Sequence, residues 1–229
     1  MTEWQAASLV ALGAVVFLDQ WPAVQSMVSR PIVVGPLVGW ILGAPADGVL
    51  WGAAFETALL AIQPVGAARY PDAALAGLLG TAAAITGMEA GVYPAAWAVA
   101  VAGAAGWMGD LVGSIQRRWN ARTAATVTAQ VSAGSLGAPA RGIAAALSRG
   151  VAFGALETAA GLVVVILGTR LLAGSPWAGP LDAHGMRIAA AAMAAVAGAR
   201  ALGLGRKRAA PLVLGVAAGV ALVALGAAA

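Results

Sequence analysis

Apolar residues fill this chain in long blocks, with charges held to the short gaps between them. A helix rises about 1.5 Å per residue, so about 20 residues cross a bilayer core about 30 Å thick. The blocks 90–115, 150–172, 186–204 and 211–228 meet that length, and 73–87 falls slightly short of it. The first block, 6–18, follows a start that carries Glu3 and no basic residue. It therefore lacks the basic region of a secretory signal and reads as a retained membrane segment.

The segment 30–66 breaks the pattern. Two apolar runs, 31–43 and 49–62, flank Ala44-Pro45-Ala46-Asp47-Gly48. Runs of about 13 residues make about 20 Å of helix, too little to cross the core alone. A Pro-Ala-Asp-Gly turn between two short arms predicts a re-entrant helical hairpin over 31–63. Irregular backbone at that depth survives only inside protein or beside water. The competing reading is two tilted, thin spans joined by an ordinary loop. Discontinuous helices build many transporter sites, which directs attention to this hairpin.

Composition agrees with this pattern. The chain is 61% hydrophobic and 10% charged, against about 25% charged in soluble domains. Its many glycines and alanines suit close helix packing in lipid. The expected fold is therefore all-α: a polytopic integral membrane protein in one membrane domain, residues 1–229. The net charge of +4 does not indicate a nucleic-acid partner, because the arginines sit in short loops of the kind that orient membrane proteins. Arg117, Arg118, Arg122 and Arg141 mark the interval 116–148, and Arg206, Lys207 and Arg208 mark a second basic cluster. Two blocks separate these clusters, so both are expected in the cytoplasm and the 175–185 connection outside. The interval 116–148 is expected to hold helical pieces. Tryptophans near block ends (Trp4, Trp21, Trp119, Trp177) fit an interfacial belt. One weak internal echo sets Gly52-Ala53-Ala54-Phe55-Glu56-Thr57-Ala58 against Gly154-Ala155-Leu156-Glu157-Thr158-Ala159.

A charge inside a membrane segment costs at least about 2.5 kcal/mol and is a functional candidate by default. Glu56 is the clearest, with a buried hydrogen-bonded anchor as the other reading. Asp19 ends the first block and Asp72 precedes the 73–87 block; each suits a functional contact, helix capping or an interfacial ion pair. Glu157 reads as structural. His184, the single histidine, lies beside Asp182 in the connection expected outside, where a cytoplasmic phosphate donor would not reach it. One histidine and no cysteine argue against a transition-metal site. No P-loop, catalytic triad or dinucleotide fingerprint is present; Gly203-Leu204-Gly205 lacks the strand that a fingerprint requires. No cofactor is expected.

From residue 30 to residue 81 the chain resembles the IIC subunit of the mannose/fructose/sorbose family of bacterial sugar phosphotransferase systems. The resembling residues are Arg30-Pro31-Ile32-Val33-Val34-Gly35-Pro36-Leu37-Val38-Gly39-Trp40-Ile41-Leu42-Gly43, Asp47-Gly48 and Gly52-Ala53-Ala54-Phe55-Glu56. They continue with Pro64-Val65-Gly66-Ala67-Ala68 and Pro71-Asp72-Ala73-Ala74-Leu75-Ala76. Many family members carry a Gly-Trp pair and an asparagine where this chain has Ala61-Ile62-Gln63-Pro64, a departure that bears on the sugar. The resemblance implies a multi-pass permease subunit of the bacterial inner membrane, not an enzyme by itself, that forms an oligomer with a homologous IID subunit. Together they would move a hexose-type sugar, which soluble IIA and IIB phosphocarriers phosphorylate. It implies a sugar path lined by the hairpin and the Glu56 segment, with Glu56, Gln63, Asp72, Arg30 and Asp19 as the substrate-binding set. The alternative is a membrane scaffold that recruits IIA/IIB-like regulators without transport. An ion-coupled transporter would need a coupling-ion site, for which the sequence offers Glu56.

Overall fold

The computed structural model describes residues 1–20, 25–59 and 70–173. They form six helices and no strand: α1 (Glu3–Gln20), α2 (Pro31–Leu42), α3 (Pro45–Leu59), α4 (Ala73–Glu89), α5 (Pro94–Ser132) and α6 (Ala138–Ala173). The expected blocks 186–204 and 211–228, the 175–185 connection and the cluster at 206–208 lie outside the described residues.

Helix α4 is the hub, in contact with all five other described helices. It is apolar on every side, and 13 of its 17 residues are buried, as expected of a helix surrounded by protein. The block that looked too short to span is thus the central one. Leu75, Leu78, Leu79, Ala82 and Ile85 join Leu9 and Val16 of α1, Val34 and Val38 of α2, and Leu162 and Val165 of α6 in one core.

Helices α2 and α3 pack tightly as a hairpin. Two glycines on each arm make this possible. A Cβ on Gly39 would lie 2.7 Å from the Cα of Gly48, and one on Gly52 would lie 3.0 Å from the Cα of Gly35. The reversal is shorter than the sequence suggests. Gly43 takes the left-handed conformation, φ 84°, and closes α2, while the Ala44 N–H donates to the Gly39 carbonyl over 2.8 Å. Together these form the glycine-based stop of a helix. Pro45, Ala46, Asp47 and Gly48 are therefore not the turn but the first turn of α3. Pro45 needs no N–H there, and Asp47 sits at the positive helix end.

Helices α5 and α6 are long and apolar enough to cross a membrane. With 39 and 36 residues, they run about 58 and 54 Å, well beyond a bilayer core of about 30 Å. The polar interval 116–148 forms the far ends of these two helices, with a short reversal around Gly134. Arg149 ties the extensions together by donating to Asn120 Oδ1 (3.2 Å) and Thr123 Oγ1 (2.8 Å). Trp4 and Trp119 are exposed, as a belt requires, but Trp51 is fully buried and Trp97 donates to Thr169 Oγ1 over 3.0 Å. Trp21 and Trp177 lie outside the described residues.

Candidate functional site

Arg30 is the N-cap residue of α2, and Glu56 lies on the facing arm, α3. The Arg30 guanidinium donates to Glu56 Oε1 and forms an ion pair with it. The other carboxylate oxygen accepts from the Ile32 N–H (3.4 Å), one of the first-turn donors that a helix leaves without an internal partner. Glu56 is 8% exposed, so Arg30 supplies the counter-charge that an anion in this setting requires. The Arg30 side chain is 46% exposed, so it is open to another group. The pairing of these two residues closes the open end of the hairpin.

That end faces a cavity of about 400 Å³, lined by Gln20, Gln25, Ser29, Arg30, Pro31, Glu56, Leu59, Tyr70, Pro71, Ala73 and Ala74. Its volume lies within the range of about 300–1,000 Å³ usual for small-molecule sites. Amides, a hydroxyl, a phenol and an ion pair set among apolar walls suit a neutral, polyhydroxylated ligand. Tyr70, Gln20, Gln25 and Ser29 were not singled out by sequence. Gln20, Ser29 and Tyr70 adjoin Asp19, Arg30 and Pro71, and that adjacency was the available signal; Gln25 had none.

Asp19 and Asp72 are not among the described residues lining this cavity. Asp19 Oδ1 accepts from the Ser26 N–H and Ser26 Oγ (both 2.6 Å), and its Oδ2 accepts from the Ser29 N–H (3.0 Å). It thereby fixes the turn leading into α2, in which Gln25 and Met27 hold positive φ angles of 51° and 67°. Asp72 caps α4 by accepting from the Leu75 N–H (2.9 Å). Its own N–H donates to the Gly106 carbonyl of α5 (2.8 Å). Both carboxylates hold the walls that carry the cavity. Gln63 and His184 lie outside the described residues.

Two further acids are buried. Asp110 of α5 is 3% exposed, with Arg117 at 3.8 Å. Glu157 of α6 is 5% exposed, and its Oε2 has no hydrogen-bond partner. The sequence echo places each glutamate one turn beyond a glycine at a helix crossing. Gly52 meets Gly35 of α2, and Gly154 meets Gly13 and Ala14 of α1.

The described residues thus form an all-helical membrane protein with a glycine-packed hairpin and a polar cavity at its open end. Comparison with known proteins gives the family. Residues 3–196 match the family described as PTS system sorbose-specific IIC component, and the chain belongs to it. The chain is 34% identical over 83 residues to the PTS system sorbose-specific EIIC component of Lacticaseibacillus casei, covering 36% of this chain and 27% of that protein. It is 36% identical over 91 residues to N-acetylgalactosamine permease IIC component 1 of Escherichia coli (strain K12), covering 39% and 34%. The aligned stretches thus span about a quarter of the first relative and about a third of the second. A solved structure described as "Structure of membrane protein" shares the fold, with a TM-score of 0.69, 22% identity, and coverage of 90% of this chain and 81% of that one.

Proposed function

We propose that this chain is the sugar-translocating IIC subunit of a phosphoenolpyruvate-dependent phosphotransferase system in a bacterial inner membrane. It crosses that membrane several times and is not an enzyme on its own. It works with a IID membrane subunit, and soluble IIA and IIB phosphocarriers phosphorylate the hexose-type sugar on the cytoplasmic side. The α2–α3 hairpin is re-entrant, entering the bilayer without crossing it, and carries the Arg30–Glu56 pair at its open end. Family membership supports the reading, and one observation carries it: the pair opens onto a sugar-sized cavity with further polar groups in its wall. Glu56 accepts hydrogen bonds from sugar hydroxyls, and Arg30 donates to sugar oxygens while balancing the buried charge. Discrimination follows because a wrong ligand leaves these groups unpaired.

The test is sugar titration of the purified complex with its IID partner, wild type against Glu56→Gln. Hydrogen bonds to a charged group are worth about 1.5–3 kcal/mol, so affinity should fall about tenfold to a hundredfold while assembly stays normal. Unchanged affinity in a correctly assembled complex would remove Glu56 from the sugar path.

A further inference from the structure

Where α1, α4 and α6 meet, a small cavity of about 10 Å³ is lined by Gly13, Val16, Phe17, Gln20, Asp72, Glu157 and apolar residues of α4. Two oxygens of its lining, Gln20 Oε1 and Glu157 Oε2, have no hydrogen-bond partner among the described residues, and neither has Thr158 Oγ1 beside Gly13. Asp72 and Glu157, two carboxyl groups, line the same cavity. Buried oxygens left unpaired cost about 1–3 kcal/mol each, and more for a charged group. A native fold does not leave several together unless something fills the space.

The two carboxylates are not equivalent. Asp72 is 1% exposed and caps α4, so the Leu75 N–H and the positive helix end stabilise its anion. Glu157, mid-helix and 5% exposed, has no ion pair with any described residue. The charged groups on the helices packed against α6 are otherwise engaged near this end. Asp19 of α1 serves Ser26 and Ser29, and Asp110 of α5 has Arg117. Among the described residues, no cation pairs with Glu157. The junction's volume admits one water-sized particle, and its donor set is all oxygen, as hard cations prefer.

We propose that this junction binds a single monovalent cation, sodium or a proton, held by Glu157 with Asp72 and Gln20 beside it. Gln20 also lines the larger cavity, so the ion and the cavity share a wall. The site is separate from the Arg30–Glu56 pair and stands or falls independently of the proposed transport role.

The experiment is thermal unfolding of the purified full-length chain in detergent. Sodium is exchanged for N-methylglucamine at constant ionic strength, between about pH 6 and pH 8.5. The probes are sodium chloride and protons, and no sugar is added. Wild type should gain about 5 °C at saturation. A gain with sodium at high pH identifies sodium; a gain only on acidification identifies the proton. Glu157→Gln is neutral at every pH and isosteric, and it should abolish the dependence in either case. Gln20→Leu, a milder change, should weaken it. Wild type insensitive to both probes, or Glu157→Gln responding as wild type does, overturns the proposal.

Discussion

Gly39 and Gly48 meet across the α2–α3 crossing so closely that a Cβ on Gly39 would lie 2.7 Å from the Cα of Gly48. The obstacle is backbone, which cannot turn aside as a side chain can. Gly39→Val should therefore separate the arms and cost at least the about 1–3 kcal/mol typical of overpacking. Gly103 of α5 has nothing within 4 Å of the same position. Gly103→Ala should be neutral, or stabilising by up to about 1 kcal/mol through helix propensity. Thermal unfolding of the two purified variants checks both; equal stability would show that the glycine crossing is not tight.

The Asp19 carboxylate receives three hydrogen bonds from the turn before α2. Asn keeps one acceptor but turns an NH2 toward a donor. Asp19→Asn should destabilise by about 1–3 kcal/mol, and limited proteolysis should cut the turn at residues 25–29 faster. Sugar affinity should also fall, because Gln25 and Ser29 line the cavity from this turn. A variant with wild-type stability and cleavage rate would show that the carboxylate does not fix the turn.

The far ends of α5 and α6 are expected on the cytoplasmic side. In a cysteine-free background, a single cysteine at Ser135, in the reversal between them, should resist an impermeant thiol reagent in intact cells and react after lysis. A cysteine at Ser175 should react from outside. Equal labelling of both in intact cells would overturn the orientation.

Hydropathy made α1 and the membrane-length parts of α5 and α6 legible because each is a continuous apolar run. It misplaced the hairpin reversal, since a Pro-Ala-Asp-Gly string serves equally as a turn and as the start of a helix. Gly43 decided the matter, and its left-handed conformation is a property of the backbone that no apolar count contains. The spacing of Gly35 and Gly39 against Gly48 and Gly52 was available as a small-residue pattern on each arm, but which arms met had to come from the fold. Glu56 stood out because it interrupts a short apolar arm, whereas Arg30 entered the candidate set only through the family resemblance. Glu157 read as structural because the residues that share its cavity, Gln20 and Asp72, lie far away along the chain. Asp110 went unremarked for a related reason: its burial depends on α5 packing against α4.

Helix α4 has almost no face left for lipid, so it cannot slide or turn without dragging five neighbours with it. In the proposed transport role it would act as a stator. Any movement that opens the large cavity to one side of the membrane or the other must be a swing of the surrounding helices about this fixed post. The α2–α3 hairpin, locked by its glycines, would swing as one rigid paddle.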